Sequence, residues 1–166
     1  MVGRVGRDAF GPMLVASLRS QGIETQDVAE DSENASGIAI ILLDSRRQNH
    51  ITAIYGANAA CDSAQLEATK RALEKADALL LQQEIPLQVS LAAAQQVRSK
   101  GLTVVWDPAP AMEVPDDLYA AIDVLTPNQT EAEHITGIRV KDVDSARSAA
   151  KAMLDLGVAA AVRRVS

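Results

Sequence analysis

The sequence predicts an α/β fold: a Rossmann-like parallel sheet flanked by helices, with a small β-hairpin set ahead of that sheet. Three observations point there. From residue 62 onward, short apolar runs alternate with helical stretches of roughly ten residues, the rhythm of β-α-β crossovers. Before that point, two runs rich in β-branched residues are separated by turn-forming residues. Aromatic residues make up only 2% of the 166 residues, so the core must be built from Ala, Val, Ile and Leu. That composition suits helices packed on a parallel sheet.

The elements follow in order. Phe10, Met13, Leu14 and Leu18 recur at helical spacing between Asp8 and Gln21, and Gly22 supplies a left-handed stop. Residues 24–35 are a polar stretch. Ile38–Leu43 and Ile51–Tyr55 form the hairpin, with Asp44–Asn49 as its turn. The first of these strands is apolar on both faces, so each face needs a cover. Asp62 or Ser63 caps a helix running through Lys75, and Ala78–Leu81 is a short strand. Pro86 opens a helix to about residue 100, which Gly101 ends. Strands at 102–106 and 122–125 follow, then a short helix after Asn128. A helix capped at Asp142 or Asp144 runs to Leu156, and Val158–Val162 is the final strand.

Charge and composition exclude several functions. A net charge of −6 with no Lys/Arg cluster beyond short pairs argues against a nucleic-acid partner, and such pairs as Arg46-Arg47 and Arg163-Arg164 read as solvated charges. Cys61 is the one cysteine, has no close His, and reads as a small buried apolar residue. The first residues carry charge but no apolar run after it, and no stretch reaches membrane-spanning length. The expectation is a soluble, cytoplasmic protein.

In an open α/β sheet, ligands bind beyond the carboxyl ends of the strands. Three such places carry polar groups: Gln82-Gln83-Glu84, Asp107-Pro108-Ala109-Pro110, and Thr126 through Glu131. All three are expected to meet on one rim, which supports a small polar ligand. Each also has a purely structural explanation. Asn128 and Glu131 have capping-box spacing. Glu84 could simply precede a helix, where the dipole favours a carboxylate. Asp107 could start a rigid loop, and Gly56-Ala57-Asn58-Ala59 could be a turn leaving the hairpin. His50 and His134 lack ligand-spaced partners. Gly3-Arg4-Val5-Gly6 precedes a helix but lacks the strand that a dinucleotide fingerprint requires.

Taken together, Gly3 through Gly11, Gly56-Ala57-Asn58-Ala59, Asp107-Pro108-Ala109-Pro110-Ala111 and Leu125 through Glu133 resemble the ribokinase-like (PfkB) family of sugar and nucleoside kinases. The resemblance runs in order from residue 2 to about residue 160. It implies transfer of the ATP γ-phosphoryl group to a sugar, D-ribose foremost, with Mg²⁺ and a monovalent cation (K⁺). It implies that residues 34–57 are a β-lid that closes over the sugar and pairs two subunits as a homodimer. Glu84 then falls where a carboxylate accepts hydrogen bonds from the sugar. Asn128 falls where an asparagine approaches the nucleotide phosphates, and Glu131 where a glutamate orders Mg²⁺ through water.

The departures carry equal weight. The family's amino-terminal strand and its Gly-Gly sugar loop have no counterpart in the sequence. Val162-Arg163-Arg164-Val165-Ser166 stands where a Thr-Leu-Gly-like turn is expected. The Gly-Ala-Gly-Asp segment, with the anion hole and the catalytic-base aspartate, is not found. The resemblance therefore implies an incomplete kinase domain over 1–166, holding no catalytic residue, inactive alone and prone to aggregate. Two alternatives stand beside it: a kinase of the same family for another sugar or a nucleoside, and a non-catalytic fragment that dimerises through the lid.

Overall fold

The computed structural model describes residues 1–45, 47 and 49–162. Two compact units are present, Met1–Ala68 and Thr69–Ser166.

The first unit opens with a parallel βαβ unit. Strand β1 (Val2–Gly6) pairs with β2 (Asp27–Asp31), and helix α1 (Phe10–Ser20) connects them. This corrects the expectation that no strand accompanies Gly3–Gly6, and it sets a strand inside residues 24–35, which the sequence marks only as a polar stretch. Neither strand has the composition of one: β1 carries two glycines and β2 three acidic residues. Ion pairs across the ladder compensate, with Arg4 to Asp31 at 3.4 Å and Arg7 to Glu30 at 2.6 Å.

The hairpin forms as expected and stands as its own sheet. Strand β3 (Ile38–Leu43) runs antiparallel to β4 (Asn49–Ile54), in register from Ile38 opposite Ile54 to Leu43 opposite Asn49. Directly opposed residues share a face. Ile41, Leu43 and Ile51 therefore lie on one side, and Ile40, Leu42, His50 and Thr52 on the other. Every residue of both strands is exposed, Leu43 to 71%. The turn expected at Asp44–Asn49 includes Arg46 and Gln48, which lie outside the described residues. Arg163-Arg164 and the carboxyl-terminal turn do so too. Past the hairpin, Gly56–Ala60 is a 3₁₀ turn holding the buried Ala57, and it leads into helix α2 (Ser63–Ala72).

The second unit is a four-stranded parallel sheet in the order β5 (Ala78–Leu81), β6 (Thr103–Trp106), β7 (Val124–Leu125), β8 (Ala160–Ala161). Helix α3 (Leu87–Ser99) joins β5 to β6, and a short α4 (Asp116–Tyr119), absent from the sequence reading, lies before β7. Helices α5 (Gln129–Thr136) and α6 (Val143–Asp155) lead to β8. The last two strands are shorter than their apolar runs suggest, because Ile122 and Val158 are spent in the core beside the ladder. That core gathers Val97, Val104, Trp106, Leu118, Ile122, Leu125, Val140 and Met153, all almost fully buried. Trp106 packs obliquely on Tyr119, with ring centroids 5.9 Å apart. Among the described residues, no helix is long and apolar enough to cross a membrane.

Candidate functional site at the carboxyl edge of the sheet

The register sets where the polar loops emerge. Leu81 is level with Trp106 and Trp106 with Leu125, so β5, β6 and β7 end together at one edge. Strands in a sheet lie about 4.8 Å apart, so the outer two of these exits are separated by roughly 10 Å. Glu84, Asp107, Asn128 and Glu131 all follow from this edge, as the sequence predicts. Two backbone bonds carry the ladder past the strands: Asp107 N–H donates to Leu81 O and Thr126 N–H to Trp106 O, each at 2.9 Å.

The loop after β5 is tied to the loop after β6 by Gln83, which the sequence places on this rim without a role of its own. Gln83 is only 5% exposed, and its N–H donates to Ala109 O at 2.9 Å. In the orientation that satisfies its surroundings, its side-chain nitrogen donates to Pro110 O at 3.1 Å and Pro108 O at 3.2 Å. The Ala109–Pro110 peptide is cis. Gln83 thus occupies three consecutive carbonyls of the neighbouring loop, and Glu84 follows directly. The Glu84 N–H donates to Gln82 Oε1. Its carboxylate is half-buried and meets no donor or cation among the described residues. A half-buried carboxylate without a partner at a ligand-binding edge is suited to accept hydroxyl donors.

The loop after β7 forms the reciprocal cap that its spacing predicts. Asn128 Oδ1 accepts from Glu131 N–H at 2.9 Å, while the Glu131 carboxylate accepts from Asn128 N–H and from Asn128 Nδ2–H, each at 2.7 Å. Glu131 is 4% exposed, and these donors bond its carboxylate oxygens away from water. Asn128→Ala removes both the cap and one donor to a buried carboxylate. We expect a loss of about 2 kcal/mol, read as a lower urea midpoint with an unchanged slope. A midpoint equal to wild type would show the cap to be incidental.

Among the described residues, no three His, Cys, Asp or Glu side chains converge as a metal site. His50 approaches only Asp44, at 3.8 Å, and His134 is exposed. Cys61 is buried as expected, and burial pushes its thiol pKa up.

Residues 1–163 match the pfkB family carbohydrate kinase. The chain is 34% identical over 154 residues to a ribokinase of Haemophilus influenzae, covering 93% of this chain and 50% of that protein. It is 33% identical over 159 residues to a deoxyribokinase of Salmonella typhi, covering 95% and 52%. Arabidopsis thaliana ribokinase, solved in complex with ribose and ATP, superposes with a TM-score of 0.83 at 29% identity, covering 98% of this chain and 53% of that one. The chain spans about half the length of the curated relatives it matches. With its ordered motifs, its parallel sheet and a family match over nearly its whole length, the chain belongs to the pfkB family of carbohydrate kinases.

Proposed function

We propose that this chain is the lid and part of the reactant-binding edge of an ATP-dependent sugar kinase, with D-ribose as the sugar and D-ribose 5-phosphate as the product. Residues 1–166 contribute one share of its kinase domain, with the lid at about 34–57. The observation that carries the proposal is the common edge: an unpartnered carboxylate at Glu84 and a helix start at Asn128, two strands apart. In this reading Glu84 accepts hydrogen bonds from sugar hydroxyls. Asn128 meets the nucleotide phosphates, aided by the first N–H groups of α5, which have no partner within the helix.

Glu131 sets a condition on that arrangement. A buried carboxylate beside a phosphate is repulsive unless a cation lies between them. Mg²⁺ fits, because it is held through few carboxylates, substrate phosphates and several waters rather than a protein cage. Each Glu131 oxygen can accept a further bond from a metal-bound water while remaining in the cap. When bound, the ion would neutralise charge on the transferring phosphoryl group. A monovalent cation (K⁺) belongs to the proposed whole enzyme, with no residue here assigned to it.

Amide chemical shifts test the assignment. D-ribose is expected to move the Glu84 and Ile85 signals, and Mg·ATP those of Asn128–Ala132. Shifts confined to other loops, or none at millimolar ligand, would refute the assignment. A second sugar, 2-deoxyribose, has support from the similarity to a deoxyribokinase. The same titration separates the two by which one saturates first.

The hairpin is proposed to pair with a second copy in a homodimer. Both its sides are apolar: Ile41, Leu43 and Ile51 stand on one, exposed to 59%, 71% and 59%, and Ile38, Ile40, Leu42 and Ile54 on the other, where Thr52 and His50 add polar groups suited to a sugar. An isolated two-stranded hairpin is marginal, so a partner stabilises it. Equilibrium sedimentation is expected to show a dimer that Ile41→Lys converts to monomer. A wild-type chain that stays monomeric at high concentration would exclude the pairing.

A further inference from the structure

The hairpin's two strands join the rest of the first unit through a small, densely bonded joint. Asp8 lies between β1 and α1. Its Oδ1 accepts from the N–H groups of Phe10 and Gly11, each at 2.9 Å, and from the Ser36 hydroxyl at 2.9 Å. Its Oδ2 accepts from the Ser36 N–H at 2.6 Å. The Ser36 hydroxyl oxygen in turn accepts from the Gly6 N–H at 3.0 Å. Ser36 is 4% exposed and stands two residues before β3 begins.

The returning strand is fixed at the same place. Ala57 N–H donates to Ala35 O at 2.7 Å, and Ala57 is fully buried. Two glycines allow the approach. A Cβ on Gly6 would stand 2.3 Å from Ser36 N, and one on Gly56, whose φ is +49°, would stand 2.2 Å from Ala35 O. Both contacts are with backbone, which cannot yield locally. The donated N–H groups, that of Ser36 foremost, hold the Asp8 carboxyl below the usual carboxylate range. In contrast to this joint, both strands beyond it are exposed along their whole length.

We infer that Asp8 is a positioning residue for the lid: through Ser36 it fixes the base of the β3–β4 hairpin to the β1–α1 corner and so sets the direction in which the hairpin projects. One carboxylate serves both ends of this linkage. It caps the start of α1 and grips the entry to β3, so the hairpin inherits the orientation of the helix. Charge-assisted bonds are the stronger class, and a carboxylate that accepts four has no equivalent among neutral side chains. The functional consequence, a lid aimed at a sugar, rests on the proposed kinase reading. The anchoring itself does not.

Two measurements on the unliganded chain test it. In a Cys61→Ala background, spin labels at Ser20→Cys and His50→Cys report the distance between the end of α1 and the hairpin. Hydrogen exchange at the Ala57 amide reports the joint, since neither Ala57 nor its acceptor is altered by the substitutions. Asp8→Ala is expected to broaden the distance distribution and to speed Ala57 exchange by roughly tenfold or more, while amides of β5–β8 keep their protection. Ser36→Ala, which retains the Ser36 N–H bond to Asp8, should give the same changes at smaller amplitude and guards against a variant that fails to fold. Unchanged distances and exchange in both variants would overturn the inference. So would a loss of protection spread equally over β5–β8, which would mark a general loss of stability. Because no ligand is added, a failed sugar or nucleotide titration counts against the kinase reading alone.

Discussion

Trp106→Ala is expected to destabilise the second unit by about 3–5 kcal/mol, the range for emptying the place of a large buried aromatic. Trp106 is 1% exposed, packs on Tyr119 and ends the central strand of the candidate site. The cavity would open directly beneath the loops that carry Glu84 and Asn128, so ligand binding should fall with stability. Trp106→Phe separates size from chemistry. The indole Nε1 is buried and finds no hydrogen-bond partner among the described residues, so phenylalanine sheds that donor as well as volume. Its cost should stay below about 2 kcal/mol, well short of alanine. Urea melts of the two variants check this, and equal losses would mean that the ring's volume is not what matters.

The 166 residues on their own are expected to form no D-ribose 5-phosphate from ribose and Mg·ATP. Phosphoryl transfer depends on positioning and on stabilising charge as it develops. In the proposed roles, Glu84, Asn128 and Glu131 hold reactants, and none of them takes the proton from the attacking hydroxyl. The resemblance places the general base and the anion hole in a Gly-Ala-Gly-Asp segment that these residues do not contain. Losing a single oxyanion donor lowers kcat by about a hundredfold or more, and here the base is wanting as well. Product detection by mass with labelled ribose is the measurement. Formation above a no-protein blank, lost on Glu84→Ala, would refute the expectation.

The second unit was the more legible in sequence, for a physical reason. Its strands are buried in a parallel sheet and so must be continuous apolar runs, and its helices carry their own start signals, as Asn128 and Asp142 show by capping α5 and α6. Strands β1 and β2 were hidden because glycines and acidic residues fill them; a backbone ladder joins the two, with ion pairs such as Arg4–Asp31 across it. Within the site, Glu84, Asn128 and Glu131 could be placed from strand ends alone. The same holds for Gln83, but not for its bonds, since its partners are backbone carbonyls of a loop whose path around a cis proline leaves no trace in residue type. Asp8 was visible only as part of a resemblance. Its contact with Ser36 spans 28 positions along the chain and follows no local period.

The placement of the single indole has a practical corollary. Trp106 belongs to the second unit, while the first unit holds only Tyr55 and Phe10 as aromatic chromophores. Tryptophan emission will therefore follow melting of the four-stranded sheet and stay blind to the hairpin and its joint. Far-ultraviolet dichroism sees both, so any gap between the two optical transitions measures how independently the halves unfold.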